Sequence, residues 1–195
     1  MNLLIDIGNV LVRFSYNKLI ERVAPGSDAS ILDDVLALRD RFETGLMDIP
    51  EFTSSAKQIL NFQDTDAEFQ KAWCEIFTPV PEMVELLPIW KAQGHRLILF
   101  SNINPLHHPY LFETYPELFS HFEEGVMSYQ IGGMKPASAM YEHAVNTLQL
   151  VPSETVYLDD LRPNIEKGNS YGFDGIQVDW DKPHTVIQEL SLRGL

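Results

Sequence analysis

Apolar residues follow two different periodicities along the chain, and these predict its secondary structure. Four short and nearly continuous apolar runs cover residues 3–7, 96–100, 155–159 and 175–178. Runs of this kind are typical of buried strands in a parallel sheet. Apolar residues at helical spacing lie between these runs, over residues 81–93, 136–149 and 163–172. Strands that alternate with helices indicate βαβ units, so we predict an α/β fold with a Rossmann-like parallel sheet and helices on both faces.

The segment from residue 15 to residue 79 carries several helix signals and no convincing strand. Helical spacing is clearest for Ile31, Val35, Leu38 and Phe42. Asp48 and Glu51 have the spacing of a capping box, which predicts the start of a helix. We therefore predict an α/β core made of residues 1–14 and 80–195, and a small all-helical insert made of residues 15–79.

Two prolines mark expected helix boundaries in the core. Pro88 lies inside the predicted helix 81–93 and should kink it, because proline has no amide hydrogen to donate. Asn104 followed by Pro105 has the pattern of a helix N-cap and a first helical residue.

Polar side chains follow three of the predicted strands at the point where each one ends. Asp6 interrupts the first apolar run, Ser101 and Asn102 follow the second, and Asp159 and Asp160 end the third. In open α/β sheets, ligands bind outside the carboxyl ends of the strands. We therefore expect these five side chains to share one crevice.

Lys135 adds a cation to this set. It follows Gly132-Gly133-Met134 and precedes Pro136, a composition that indicates a fixed loop between the second and third strand ends. Phosphoryl transfer depends on positioning and on electrostatic stabilisation of the transferred group. The ordered set of one Asp, a Ser, a Lys and paired Asp residues therefore predicts a phosphoryl-transfer site.

Charge and composition restrict the partners. The net charge of −14 argues against nucleic acid and anionic membranes as partners, so an anionic substrate must be attracted locally. Cys74 is the only cysteine, which excludes an intrachain disulfide. No apolar run approaches the ~20 residues that span a bilayer, and the N-terminus lacks the pattern of a signal peptide. We expect a cytoplasmic protein, and its oligomeric state stays open.

From Asp6 to about Val178, the order of these motifs resembles the haloacid dehalogenase-like (HAD) hydrolase superfamily. The resemblance implies a Mg²⁺-dependent phosphatase that hydrolyses a small phosphate ester through a phospho-aspartate intermediate, with the helical insert as a cap. Three segments together are similar to the branch of α-glucose-1-phosphate phosphatase-like enzymes, which suggests a sugar phosphate as the substrate. These segments are Asp6-Ile7-Gly8-Asn9-Val10, Ser101-Asn102-Ile103-Asn104 and Asp159-Asp160.

The resemblance also implies a metal site. Asp6 is the expected nucleophile, and Asp6, Asp160 and the Gly8 carbonyl are the expected Mg²⁺ ligands, since Mg²⁺ prefers oxygen donors. Adjacent strand residues point to opposite faces, so only one of Asp159 and Asp160 should bind the metal directly. The family pattern favours Asp160, with Asp159 and Asn164 orienting the ligands.

Further residues are expected to contact the substrate. Ser101 and Asn102 should donate hydrogen bonds to phosphate oxygens, and Lys135 should neutralise the charge shared by phosphate and nucleophile. Close to the nucleophile, Asn9, Arg13 and Tyr16 are weaker candidates for substrate contact. The segment Glu43-Thr44-Gly45 resembles a cap turn of the same branch.

Gly8 departs from the wider family, in which an Asp at this position protonates the leaving group and later activates water. General acid–base catalysis contributes about 10²–10⁴-fold to rate. Three interpretations stay open: a slow enzyme, replacement of the Asp by His107 or His108, or a substrate such as an anomeric sugar phosphate whose leaving group needs less protonation. We expect at least one of the two histidines to face the crevice and bind substrate.

Two other functions compete with a phosphatase. A 2-haloacid dehalogenase also uses an Asp nucleophile and lacks the second Asp, but it needs no Mg²⁺ and lacks the acid pair seen at Asp159 and Asp160. A non-catalytic binding protein of the same fold is the third hypothesis. The intact set of Asp6, Ser101 and Lys135 argues against it.

Overall fold

A computed structural model of the protein describes residues 1–26, 30–179 and 181–195. In these residues the strands are β1 (Asn2–Ile5), β2 (Val12–Phe14), β3 (Phe77–Pro79), β4 (Arg96–Ser101), β5 (Glu124–Met127), β6 (Thr155–Asp159) and β7 (Asp174–Gln177). The helices are α1 (Tyr16–Val23), α2 (Ser30–Glu43), α3 (Ile49–Ile59), α4 (Asp66–Cys74), α5 (Pro81–Val84), α6 (Leu86–Ala92), α7 (His107–Thr114), α8 (Pro116–Phe119), α9 (Ser128–Ile131), α10 (Ser138–Asn146), α11 (Arg162–Ser170) and α12 (Pro183–Leu192).

Five parallel strands form the central sheet in the order β5-β4-β1-β6-β7. Side chains alternate between its faces: Leu3 and Ile5 of β1 pack into one buried cluster, and Leu4 packs into another on the opposite face. Helices bury both clusters, so the predicted α/β fold with a Rossmann-like sheet is confirmed. None of the helices in the described ranges is long and apolar enough to cross a membrane.

The edge strand β5 has no counterpart among the predicted strands. Its sequence, Glu124-Gly125-Val126-Met127, contains only two large apolar residues, so it lacks the continuous apolar run of a central strand. A Cβ atom at Gly125 would lie 3.2 Å from the Cβ of Leu99 on β4. The glycine therefore permits close packing against the neighbouring strand. It also interrupts the apolar run by which a strand can be predicted from sequence.

Helix boundaries near the two prolines differ from the predictions. The predicted helix 81–93 is interrupted at Glu85, which separates α5 from α6. Pro88 has no N–H to donate to the carbonyl of Val84. The helical hydrogen bonds are therefore interrupted before the proline, and two short helices form where we expected one kinked helix. The helix expected to begin at Pro105 begins two residues later.

The helical insert packs around its own buried cluster, in which Phe42 and Phe52 stack with ring centroids 4.1 Å apart and Trp73 meets Phe52 edge-on. The helix predicted from Asp48 begins at Ile49, where the Asp48 carboxylate accepts the Glu51 N–H. The expectation of no strand in residues 15–79 was wrong: β3 pairs antiparallel with β2. This two-stranded ribbon joins the chain segments that enter and leave the insert.

The insert contacts the core closely at Gly45, which has a φ of +75°. A Cβ atom there would overlap the carbonyl oxygen of Tyr129 in α9, so we expect Gly45→Ala to destabilise the protein. The matched control is Gly94→Ala, because Gly94 has a φ of +82° and no atom within 4 Å of a Cβ. In urea unfolding, Gly45→Ala should lower the free energy of unfolding by about 1–3 kcal/mol more than the control does. Equal losses of unfolding free energy in the two variants would show that the close approach to Tyr129 does not affect stability.

Candidate active site

The carboxyl ends of β1, β4 and β6 open into a cavity of about 330 Å³ between the core and the helical insert. The core contributes Asp6, Gly8, Ser101, Asn102, Lys135, Asp160 and Asn164 to its wall. The insert contributes Tyr16, Arg39, Asp40 and Glu43. Parallel strands place their following loops at one edge of the sheet, and this is why residues so distant in sequence meet here.

Asp6 lies directly after β1, where its N–H still donates to the Leu158 carbonyl of β6 at 2.9 Å. One carboxylate oxygen accepts the Ile7 N–H at 2.8 Å and lies 3.1 Å from Lys135 Nζ. Burial raises the pKa of Asp6 to about 7, against the opposing charge of Lys135. The carboxylate is thus fixed, almost enclosed and faced by a cation.

Lys135 is a buried ammonium with three oxygen neighbours. Its Nζ donates to Asp159 Oδ2 and to the Phe100 carbonyl, both at 2.6 Å, and contacts Asp6 at 3.1 Å. An ammonium group has three N–H donors, so each one has an acceptor. Burial alone would lower the pKa of Lys135, but the carboxylates of Asp159 and Asp6 outweigh it and raise that pKa. The charge therefore persists at neutral pH beside the expected nucleophile.

Asp159 is fully buried and has hydrogen-bond donors around both oxygens. Lys135 Nζ and the Tyr157 hydroxyl each lie 2.6 Å from Oδ2. The Leu161 N–H and Asn164 Nδ2 each lie 2.9 Å from Oδ1. With these four donors in place, the carboxylate positions Lys135 and the loop after β6.

Asp160 is more open than its neighbour. Its carboxylate accepts one hydrogen bond from Asn9 Nδ2 at 2.9 Å, and burial raises the pKa of Asp160. One carboxylate oxygen from each of Asp6, Asp159 and Asp160 lies within 4.8 Å of the others. Clustered oxygens of this kind fit a hard divalent cation such as Mg²⁺, whose positive charge would also offset the mutual repulsion of the carboxylates.

The strand end after β4 behaves differently from the prediction. The Asn102 side chain accepts the Lys135 N–H at 2.7 Å and donates to the Lys135 carbonyl at 3.0 Å. It therefore holds the Lys135 loop, whereas we expected its side chain to contact phosphate. Ser101 is buried beside Asp6. Its hydroxyl lowers the pKa of the Asp6 carboxyl, but this contribution is smaller than those of burial and of Lys135.

One of the two histidines faces the cavity, as expected, but both of its ring nitrogens are already hydrogen-bonded. His107 reaches the cavity wall, but its Nδ1 accepts a hydrogen bond from Asn104 at 2.9 Å and its Nε2 donates to the Trp73 carbonyl at 3.0 Å. Burial lowers its pKa to about 3, so the ring is neutral and both nitrogens are engaged. His108 turns away from the cavity, and its Nδ1 pairs with the Tyr129 hydroxyl at 2.9 Å.

An aromatic ring packs directly against Gly8. A Cβ atom at this position would lie 2.9 Å from Cε1 of Phe14. The ring of Phe14, which also lines the cavity, thus occupies the space that an Asp side chain would need. A side chain at position 8 would therefore require the Phe14 ring to move.

The insert side of the wall contains Arg39 and Asp40, which the sequence did not single out, and Glu43 of the segment that resembles a cap turn. Arg39 and Asp40 lie on α2 and form an ion pair at 2.5 Å, and Glu43 lies one turn further along the same helix. Their i, i+1 and i+4 spacing places them near one another, but nothing in the sequence indicated which face of α2 meets the core. Tyr16 lines the cavity as expected, whereas Arg13 borders a neighbouring cavity.

Residues 3–170 of the chain match the sequence model of a hydrolase family, described as haloacid dehalogenase-like hydrolase. A relative of known activity is the D-ribitol-5-phosphate phosphatase of Bacteroides thetaiotaomicron. It is 25% identical over an alignment of 200 positions that covers 95% of this chain and 97% of that protein.

Solved structures share the fold of this chain. A HAD family enzyme from Bacteroides thetaiotaomicron, crystallised with magnesium and inorganic phosphate, has a TM-score of 0.80 at 21% identity and covers 91% of this chain and 93% of that chain. The L-2-haloacid dehalogenase of Xanthobacter autotrophicus has a TM-score of 0.66 at 17% identity, over 91% of this chain and 76% of that chain. At these identities the structures establish the fold.

Proposed function

The chain belongs to the haloacid dehalogenase-like hydrolases, and from that premise we propose that it is a Mg²⁺-dependent phosphatase of small phosphate esters. The observation that carries this proposal is the buried contact between Lys135 Nζ and the Asp6 carboxylate at the end of β1. A nucleophilic carboxylate that attacks a phosphate dianion needs a fixed cation beside it. The contact provides this cation in a nearly enclosed site.

The metal would be held by Asp6, Asp160 and the Gly8 carbonyl. The clustering of the carboxylates supports this assignment, as do the four donors that already surround Asp159. When bound, Mg²⁺ offsets the charge of the phosphate group and helps to orient it. Asn9 and Asn164 have positioning roles, since they hydrogen-bond Asp160 and Asp159.

The chemistry falls to Asp6. Its carboxylate attacks phosphorus in line with the ester oxygen, an Asp6–phosphate bond forms, and the bond to the alcohol breaks. Lys135 and the Ser101 hydroxyl stabilise the charge on the transferred group. Water then attacks phosphorus, which releases inorganic phosphate and restores the carboxylate.

A polyol or sugar phosphate is the substrate class that we favour. The cavity is at the small end of ligand-binding cavities, which span about 300–1,000 Å³, and Arg39, Asp40 and Glu43 give the insert side of its wall a polar character. Such groups suit a hydroxylated leaving group. The name of the D-ribitol-5-phosphate phosphatase points to the same class.

A screen of sugar, polyol, nucleotide and carboxylic acid phosphates, with and without Mg²⁺, tests this function. Mg²⁺-dependent release of phosphate from at least one class is the expected result. Halide release from 2-haloacids without metal would instead identify a dehalogenase, and binding without either reaction would identify a non-catalytic protein. The Asp159-Asp160 pair favours the phosphatase over the dehalogenase.

Asp160→Asn should weaken the metal site, because it removes one negative charge from the ligand set. We expect the Mg²⁺ concentration for half-maximal activity to rise at least about tenfold, with a parallel change in calorimetric Mg²⁺ binding. Glu166→Gln is the control, since Glu166 pairs with Arg162 on the exposed face of α11. If Asp160→Asn left Mg²⁺ binding unchanged, the metal would have to lie elsewhere.

A further inference from the structure

We propose that Glu43 is the general acid and base of this active site, in place of the carboxylate that Gly8 lacks. This assignment rests on the proposed phosphatase function and deepens it. It extends the catalytic machinery from the core to the helical insert.

The position of Glu43 is fixed by the core. Its carbonyl accepts a hydrogen bond from Ser128 Oγ at 2.6 Å, and the same hydroxyl accepts the Ile103 N–H at 2.9 Å. Two residues later, Gly45 packs directly against Tyr129 of α9. The last residue of α2 is therefore attached to the loop after β4, whose strand also carries Ser101, and its side chain lines the same cavity as Asp6.

The surroundings of Glu43 favour the protonated acid. Its carboxyl is 9% exposed and lies 3.8 Å from Arg39 Nε. Burial raises the pKa of Glu43 to about 8, although Arg39 and the Asn104 amide oppose this, and Asp40 and Asp6 add to the rise. The nearby hydroxyl of Tyr16 stays neutral, because burial raises its pKa as well. At neutral pH the side chain thus holds a proton that it can donate.

Other proton carriers in the described cavity wall are engaged or unsuitable. His107 is neutral and uses both ring nitrogens. Lys135 shares its three protons among three acceptors. Asp40 is mostly exposed and is engaged in an ion pair with Arg39. Glu43 is left as the group with a proton and with access to the cavity.

The two steps of the reaction balance with this assignment. As the Asp6 carboxylate forms its bond to phosphorus, the Glu43 carboxylic acid gives its proton to the ester oxygen, and the neutral alcohol leaves. Glu43 is then a carboxylate, and it takes a proton from the water that attacks the phospho-aspartate. Cleavage of the Asp6–phosphate bond restores both side chains and releases phosphate.

Leaving-group dependence tests the assignment, because p-nitrophenolate leaves without protonation and an alkoxide does not. In Glu43→Gln we expect kcat/KM for ribitol 5-phosphate or a hexose 6-phosphate to fall about 10²-fold or more. The kcat/KM for p-nitrophenyl phosphate should change less than about threefold, since it reports only the formation of the phospho-enzyme. Its turnover should show a burst of p-nitrophenol stoichiometric with enzyme, because hydrolysis of the intermediate has lost its base.

Two variants complete the experiment. Glu51→Gln removes an acid from the exposed side of the insert, where Glu51 pairs with Arg41, and should retain wild-type kinetics. Glu43→Asp keeps the acid on a shorter side chain and should fall between Glu43→Gln and wild type with alkyl esters. Equal losses with aryl and alkyl esters in both Glu43 variants, without a burst, would overturn the assignment and leave a structural role. A wild-type protein that releases no phosphate from any ester would instead overturn the proposed function, and this assignment with it.

Discussion

Asp6→Asn is expected to abolish phosphate release, because an amide cannot form the acyl-phosphate intermediate. The substitution preserves shape, and its side-chain oxygen can still accept the Ile7 N–H, so the fold should be retained. Acid-quenched protein incubated with a ³²P-labelled ester should carry label in the wild type and none in the variant. Asp33→Asn makes the same change on an exposed part of α2 and should leave both activity and labelling intact.

A residual turnover of more than about a few per cent in Asp6→Asn would place the nucleophile elsewhere. The structure restricts where that could be. Asp159 is fully buried among four donors, and Asp160 is the other carboxylate in the acid cluster with an accessible oxygen. Labelling that persisted in Asp6→Asn and vanished in Asp160→Asn would therefore exchange their roles.

Lys135→Ala is expected to lower kcat/KM by about 10²-fold or more, the effect of removing one preorganised donor from a transition state. It should also destabilise the fold by about 3–5 kcal/mol, since Asp6 and Asp159 would be left without their buried counter-ion. Steady-state kinetics and urea unfolding measure the two effects. Lys91→Ala is the control: Lys91 pairs with the exposed Glu123, and such surface pairs contribute about 0–1 kcal/mol.

Lys135→Met separates the two roles of the lysine. Methionine retains most of the side-chain volume between the rings of Phe100 and Tyr157 but carries no charge. If catalysis depends on the ammonium, Lys135→Met should lose as much kcat/KM as Lys135→Ala. A change of less than about threefold in either variant would mean that Lys135 does not act on the transferred group.

The strands that hold the site could be predicted because their sequences are continuous apolar runs with polar residues at the end. The prediction extended to the convergence of Asp6, Lys135 and Asp160 on one cavity, since parallel strands share a carboxyl edge. The edge strand β5 was not predicted, because Glu124 and Gly125 interrupt its hydrophobic pattern.

Partners of polar side chains were much less predictable, since they depend on contacts between distant segments. Asn102 uses its amide on the main chain of Lys135, and His107 uses its ring on the Trp73 carbonyl. No local sequence pattern predicts either contact. The same holds for Glu43, whose importance depends on how the end of α2 docks on Ser128.

The central place of β1 in the sheet bears on how the protein becomes active during synthesis. Leu3 pairs with Leu97 on one side and with Val156 on the other, so the strand that precedes Asp6 gains its second neighbour only from the last quarter of the chain. Closing such long loops is slow and entropically costly. A nascent chain therefore stays catalytically silent until β6 has left the ribosome. Truncation before that point should yield an aggregation-prone fragment with an exposed apolar strand.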